Sequence, residues 1–556
     1  MAGGGKGGRA AGARGGMATE FGWLVGRTGT VVRWGACGGA LLAASHAATE
    51  AGVLHSFGAS ALAEEVMQTF RSEGLWAVVG PGGTLHPQRL IEGGYHIALE
   101  VLLVGTILLL LSRKSYRPKQ QKLELSPEEI EDLCAEWKPE PLIPADGTGP
   151  LLAPPMRIES MLGDHVMVGG HQCVNCASTN FIGIQGDSDI SNRCEKAMDK
   201  YGVGSCGPRG FYGTFDVHLS LEERMSRFMG VDGAVLYAYD AATASSVIPS
   251  FCKKGDQIVA DASVCYGIQT GIELSRSDVT YFKHNDVKDL HRVLKKLQAA
   301  AGPNELKQPS KRRFLVIEGI YGNSGDVAPL REIYNLAKEF KYRIIMDESF
   351  SLGVLGRRGR GLSEDVGLEP RDIDIIVASL GNSLGSAGGM CLGSRAICYH
   401  LRLNSSGYVF SASLPPFLAV AAEAAIDKLD NEPDRVEKVG SNARTMRREL
   451  NSIGGVTVLG NEDRSPLIHL KVHVFKNGAK LLRSVVDSAA KQGVLVDMAD
   501  YCALERSKPS STIRITVSSG HSKKDVIKAA ERLKVALKMA ISKFSLIDDP
   551  IKDGTI

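Results

Sequence analysis

Five short apolar runs constrain the fold of this chain more than any other feature of its sequence. They are GAVLYAY from Gly233, DQIVAD from Asp256, RFLVIEGIY from Arg313, YRIIMDES from Tyr342 and IDIIVASL from Ile373. Each is too continuously apolar for a sheet with one wet face, where apolar and polar residues would alternate. Between them, Ile333, Leu336, Ala337 and Phe340 recur at helical spacing. Strands alternating with amphipathic helices predict an α/β domain whose mostly parallel sheet is covered on both faces. After SASLPP the character changes to helices, then LIHLKVHVF and STIRITVS as strands, then a long final helix with Ser522 as its cap. That pattern predicts a smaller α/β lobe.

The 556 residues exceed one ordinary domain, so a two-lobed body should carry appended segments. The expected body begins near Met156, with a large lobe over 156–415, a small lobe over 416–545 and a tail over 546–556. Upstream, IALEVLLVGTILLLL (97–111) is apolar except for Glu100. Extended to 95–112, it approaches the roughly 20 residues that cross a bilayer, with a buried core helix as the alternative. Arg113, Lys114, Arg117, Lys119 and Lys122 follow before any acid. Such a basic flank tends to stay cytosolic, which predicts a single-pass helix with the large body in the cytosol. In SPEEIEDLCAEW, Ser126 can cap a helix, Pro127 fits its first turn, and Glu128 and Glu129 suit the positive end of its dipole. Pro139, Pro141, Pro144, Pro150, Pro154 and Pro155 then mark an extended linker. Residues 1–94 are Gly- and Ala-rich, with Lys6, Arg9, Arg14, Arg27 and Arg33 against a single acid, Glu20, before Glu50, a bias shared by transit peptides and disordered extensions, and no function follows from it.

With 65 Lys+Arg against 62 Asp+Glu, a formal charge of +3 does not point to a nucleic-acid partner. Cys173 and Cys176, the only close pair among 11 cysteines, lack a second C-x-x-C or H-x-H to complete four zinc ligands, so no metal site is expected. The other reading is reduced thiols in a body facing the cytosol.

Eight segments, in order, resemble the α-oxoamine synthases, pyridoxal-phosphate enzymes that condense an amino acid with an acyl-CoA. They are NFIG at 180–183, YGVGSCGPRGFYGTFDVHLSLEE from Tyr201, FKHND ending at Asp286, IEGIYGNSGDVAPL from Ile317, MDESFSLGVLGRRGRG from Met346, SLGNSLGSAGG from Ser379, FSASLPP from Phe410 and IRITVSSGH ending at His521. The resemblance implies a fold-type-I PLP-dependent transferase fold, with a mostly parallel seven-stranded sheet in the large domain and a smaller C-terminal α/β domain.

Chemistry of this kind needs a lysine amine to hold the cofactor as a Schiff base, an aspartate on the pyridine nitrogen, a flat group over the ring and donors for the phosphate. The family's lysine position matches Asn382, and no lysine occurs between Lys341 and Lys428. The ring-stacking histidine matches Cys265, and the histidine of the family's D-x-x-H matches Phe350. The phosphate turn reads YDAATA, where Asp240 would repel a phosphate dianion. Asp347 still matches the pyridine-nitrogen aspartate, and Arg514 matches the arginine for the amino-acid carboxylate, vestigial without cofactor. The expected pocket is therefore degenerate, although singly Cys265 and Phe350 read as packing residues and Asn382 as a turn former.

The apolar N-terminal run, EWKPEPLIP after it and the loop YGVGSCGPRGFYGT resemble the lysine-less subunit of the family's heteromeric members. That resemblance implies a chain with no catalytic residue in its own pocket and no covalent cofactor, paired with a lysine-bearing subunit that holds pyridoxal 5'-phosphate. The implied reaction joins L-serine to palmitoyl-CoA at the endoplasmic reticulum membrane, with a small activating membrane subunit and orosomucoid-like regulators as further partners. Active sites of this fold lie at the dimer interface, which makes the segment from Gly202 to Thr214 a candidate contribution to the partner's site. Within it Gly204 lets backbone approach a ligand, Cys206 sits at the tip, Arg209 offers a fork for a carboxylate or phosphate, and Tyr212 follows. A rigid interface loop without ligand contact is the alternative. An independent synthase and a non-enzymatic scaffold remain open as rival functions.

Overall fold

The computed structural model describes residues 103, 106, 107, 125–138, 156–301, 311–473, 478–501, 505–507 and 509–545. The chain divides into two compact units, 1–145 and 146–556. In the first, helix α1 (Pro127–Glu136) begins as expected: the Glu129 N–H donates to Ser126 Oγ at 3.2 Å while the Ser126 N–H donates to Glu129 Oε2 at 2.8 Å, a reciprocal capping box. Leu103, Thr106 and Ile107 are helical, but the rest of the expected span over 95–112 lies outside the described residues. So do 1–94, the proline-rich 139–155 and the tail over 546–556. Among the described residues no helix is long and apolar enough to cross a membrane.

The second unit opens with the hairpin β1 (His165–Val168) and β2 (His171–Asn175), then helices α2 (Ser188–Tyr201) and α3 (Asp216–Met229). A seven-stranded sheet follows, made of β3 (Gly233–Tyr237), β4 (Gln257–Asp261), β5 (Asp278–Phe282), β6 (Arg313–Glu318), β7 (Arg343–Asp347), β8 (Ile375–Ser379) and β9 (Gly389–Gly393), in the order β3-β9-β8-β7-β6-β4-β5. Only β9 runs against its neighbours. All five apolar runs are strands of this sheet, and their side chains, Val235, Ile258, Val316, Ile345 and Ile376 among them, are buried. The sequence reading missed two strands. β5 is an edge strand with partly wet faces, and GMCLG of β9 hides behind glycines that the packing requires. A Cβ on Gly389 would lie 2.3 Å from Thr243 Oγ1.

Helices α4 (Ala241–Phe251), α5 (Tyr266–Ser275), α6 (Val287–Ala300) and α7 (Leu330–Phe340) alternate with the strands. Short helices α8 (Leu362–Asp365), α9 (Arg395–Asn404) and α10 (Ser406–Val409) lead to α11 (Pro416–Asn431) and α12 (Asp434–Leu450). A four-stranded antiparallel sheet, β10 (Val456–Leu459), β11 (Leu467–Val472), β13 (Asp497–Ala499) and β14 (Thr512–Thr516), is joined by α13 (Gly478–Lys491), the short β12 (Val494–Leu495) and the final helix α14 (Lys523–Ser545). Ser522 does cap α14, its Oγ accepting the Asp525 N–H at 3.2 Å.

Among the described residues two large apolar cores and a small third one of Val166, Cys173 and Leu495 form, and the two large ones do not divide at residue 415. Ala419, Ala422, Ala425 and Leu429 of α11, with Val436 and Val439 of α12, belong to the core of the large sheet. Ala443, Met446 and Leu450 of the same α12 belong to the second core, together with Val174 and Cys176 from the start of the body. The division runs through α12 because the small, alanine-rich face of α11 packs closely on α2 and α3. The early strand β2 joins the C-terminal lobe by pairing in parallel with β12.

Candidate functional site

The carboxyl ends of the parallel strands carry the polar residues: Asp261 closes β4, Glu318 β6, Asp347 β7 and Ser379 β8. Open α/β sheets bind ligands at this edge. Just past β8, Asn382 makes a turn of its own: Nδ2 donates to the Ser349 carbonyl at 2.8 Å, its N–H to Ser379 Oγ at 3.3 Å, and its carbonyl accepts from the Phe181 N–H at 3.2 Å. Asp240 holds the N-cap position of α4 without capping it; its Oδ2 accepts from Ser379 Oγ at 2.6 Å instead. Asp347 accepts the Ser349 N–H at 2.8 Å. Cys265 is the N-cap residue of α5, and its N–H donates to Glu318 Oε1 at 2.5 Å. The Phe350 ring lies 6.5 Å from that of Phe181 and so close to Gly322 that a Cβ there would sit 2.9 Å from the ring. Ser349, Ser379 and Glu318 thus link Asn382, Asp240, Asp347 and Cys265 into one cluster, with Phe350 as part of its wall.

Burial raises every carboxyl group of this cluster above its ordinary value. Glu318 is pushed up to about 8, by burial first and then by Asp347 beside it in register, against the N–H groups of Gly322 and Cys265 that it accepts. Burial also pushes Asp347 up to about 6 and Glu348 up to about 7, although Ser349 opposes the first shift and Ser351, Leu362 and Ser363 oppose the second. Asp240 is exposed as a residue, yet desolvation of its carboxyl beside Ser379 raises it, with the Ser379 hydrogen bond opposing. Burial, then Glu318 and Asp347, push the Cys265 thiol well up, so it stays a neutral thiol. Among the described residues no lysine or arginine pairs with Asp240, Glu318, Asp347 or Glu348. A phosphate dianion beside Asp240 would meet a carboxyl group that no lysine or arginine among the described residues neutralises.

The glycine-rich loop lies elsewhere, fastened to the FSASLPP segment. Ser413 N–H donates to the Gly207 carbonyl at 2.9 Å, Ser205 Oγ to the Ser413 carbonyl at 2.7 Å, and Ser413 Oγ to the Gly213 carbonyl. His218 Nε2 meets the Leu414 carbonyl at 2.7 Å. Gly207 and Gly213 touch through their backbones, and a Cβ on Gly213 would sit 1.9 Å from the Gly207 oxygen.

Arg209 does not offer a free fork. Its side chain is buried, with Nη1 donating to Glu222 Oε1 at 2.9 Å and Nε to Thr214 Oγ1 at 3.0 Å. The expectation that it meets a ligand is corrected by this geometry, because an intramolecular carboxylate already fills the fork. Gly204 and Cys206 are exposed, Tyr212 is 104% exposed, and Cys206 and Tyr212 both adopt positive φ, at 56° and 65°. Val203, Phe211 and Phe410 are exposed as well, so the loop and FSASLPP present an apolar surface outward. Arg514 on β14 donates from Nη2 to Asp497 Oδ2 at 2.9 Å across the strand pair, while its buried Nε has no hydrogen-bond partner among the described residues.

Sequence reasoning passed over a second polar centre. His284 Nδ1 lies 2.8 Å from Asp261 Oδ1 and Nε2 3.1 Å from Asp326 Oδ2, and the ring stands edge-on to Tyr321. Burial alone would pull this imidazole down, but the hydrogen bonds and charges of Asp261 and Asp326 outweigh it and push it up to about 9. The available signal was an acid closing three of the five apolar runs, in QIVAD, RFLVIE and RIIMD.

Residues 173–533 match the family model of aminotransferase class I and II. The chain is 45% identical over 444 residues to long chain base biosynthesis protein 1 of Arabidopsis thaliana, covering 79% of this chain and 90% of that protein. Serine palmitoyltransferase 1 of Dictyostelium discoideum is 42% identical, with 78% of this chain and 92% of the relative covered. Among solved structures, the serine palmitoyltransferase of Sphingomonas wittichii superposes with a TM-score of 0.63 at 25% identity, over 74% of this chain and 96% of the other. The chain therefore belongs to the aminotransferase class I and II family, alongside the long chain base biosynthesis protein 1 and serine palmitoyltransferase 1 proteins.

Proposed function

We propose that this chain is the non-catalytic subunit of a serine palmitoyltransferase, which condenses L-serine with palmitoyl-CoA into 3-ketodihydrosphingosine, the first step of sphingolipid biosynthesis. Its partner is a catalytic long-chain base subunit 2 that carries the lysine and pyridoxal 5'-phosphate. The carrying observation is Asn382, whose Nδ2 donates to the Ser349 carbonyl. A carboxamide nitrogen delocalises its lone pair into its own carbonyl, so it does not condense with an aldehyde as a lysine amine does. Where pyridoxal phosphate is bound, it supplies an electron sink for the amino-acid carbanion. The residues of this pocket do not fit it: Asp240 stands where the phosphate turn would be, Cys265 carries no flat ring, and among the described residues no lysine or arginine pairs with Asp240 to offset its charge.

The contribution of this chain is instead structural and lies at the surface. The rigid loop from Gly202 to Thr214 presents Tyr212 and Phe211 outward beside Phe410, a surface suited to a partner subunit of the same fold. We place the body on the cytosolic side of the endoplasmic reticulum membrane, held by the apolar run at 97–111 and its basic flank, where a small activating membrane subunit and orosomucoid-like regulators would join it.

The test compares the purified chain, the purified partner and the two together. With pyridoxal phosphate added, this chain should develop no Schiff-base absorbance and make no ketone product, and both should appear when the partner is present. Ketone formation by this chain alone overturns the reading.

A further inference from the structure

The charge of +3 conceals an uneven distribution. The starts of β4, β5, β6 and β7 lie side by side, since Gln257 is in register with both Asp278 and Arg313, and Phe314 with Arg343. This is the amino-terminal edge of the sheet, opposite the acidic cluster. Lys253 and Lys254 stand in the turn before β4, Lys311 and Arg312 before β6, and Lys341 and Arg343 at the start of β7. Lys253, Lys254, Lys341 and Arg343 are exposed. Two acids of these turns are matched, Asp256 by Arg312 at 3.1 Å and Asp278 by Lys311 at 3.7 Å, while Glu273 and Glu339 stand exposed in the last turns of α5 and α7. At the same corner Leu274 is 60% exposed next to the exposed Arg276, and Ser277 Oγ donates to the Lys253 carbonyl at 3.0 Å, fixing the two turns together.

Helix polarity explains part of this edge. Arg276 and Lys341 close α5 and α7, where a cation offsets the negative end of the dipole. That account does not reach Lys311, Arg312 and Arg343, which introduce strands.

We propose that this edge rests on an anionic bilayer surface, with lipid phosphate and carboxylate headgroups meeting Lys253, Lys254, Lys341 and Arg343 and Leu274 entering among them. The inference rests on the membrane-held reading above. Four strand starts at about 4.8 Å spacing make a broad, shallow cationic front, and an exposed leucine among cations suits the boundary between headgroups and acyl chains.

The full-length chain with its catalytic partner, embedded in nanodiscs of phosphatidylcholine with or without phosphatidylserine, would be treated with an amine-labelling reagent and read by mass spectrometry. Labelling of Lys253, Lys254 and Lys341 should fall several-fold in the anionic discs and recover at high salt, while Lys196 on α2 is unaffected. Partitioning should weaken by roughly fivefold for each cation removed, so K253E/K254E/R343E should restore labelling of Lys341 in anionic discs with an unchanged melting temperature. Equal labelling in both discs overturns the proposal. So does equal protection by inorganic phosphate in neutral discs, which indicates a free-anion site, or protection in neutral discs that requires only the partner, which indicates a protein interface. Carbonate extraction tests the anchor separately: a chain that washes off has lost the span, whereas its headgroup contact is still read by sedimentation with anionic vesicles.

Discussion

His284 shows how one side chain can hold distant segments and make stability depend on pH. It ties the end of β4 to the turn carrying Asp326 through two carboxylates, and Asn285 next to it donates to the Val327 carbonyl at 3.1 Å. Its folded value of about 9 lies above the ordinary 6.5, so its stabilisation is complete below pH 6.5 and lost as pH rises through about 9. His284→Ala should cost about 2–4 kcal/mol at neutral pH, because it leaves Asp261 buried without its partner, and should flatten this pH dependence in thermal melts. Arg209 sits in a comparable arrangement: Glu222 also accepts from Arg402 Nη2 at 3.0 Å and from the Leu236 N–H at 3.0 Å. Arg209→Ala should destabilise the isolated chain by about 3 kcal/mol in denaturant titration, a loss that a purely ligand-binding arginine would not produce. The residue type at 209 was legible from the sequence; its partner was not, because Glu222 reaches it across the loop and the first turns of α3.

Among the elements, the loop from Gly202 to Thr214 depends most on close backbone contact. Gly213→Ala would drive a Cβ into the Gly207 carbonyl, which neither backbone can avoid. It should lower stability by about 2–3 kcal/mol or more and displace Tyr212, measured as a lower melting temperature and weaker association with the catalytic subunit. The strands and caps were legible because they rest on local pattern: continuous apolar runs for β3, β4, β6, β7 and β8, and serine caps at Ser126 and Ser522. β9 was not, because its glycines answer to Thr243 and Asp374 rather than to strand propensity.

For the whole molecule, the exposed apolar surface around Tyr212, Phe211 and Phe410 should account for assembly with the catalytic subunit. The double variant Tyr212→Ser with Phe410→Ser should weaken heteromer formation by roughly several hundredfold in titration, since each buried aromatic anchor contributes about 2 kcal/mol, while the melting temperature of the isolated chain stays unchanged. What the sequence determined alone was the alternation of strand and helix, hence the α/β class, and that Asn382, a carboxamide, lies in a stretch with no lysine between Lys341 and Lys428. Both are properties of side chains in local order. Only the tertiary structure decided that Asp240 bonds to Ser379, 139 residues away, that Arg209 faces Glu222, that the cores divide within α12, and that cations scattered through the chain gather on one edge of the sheet. Each of these depends on which distant segments the fold brings within a few ångströms, and local periodicity carries no information about that distance.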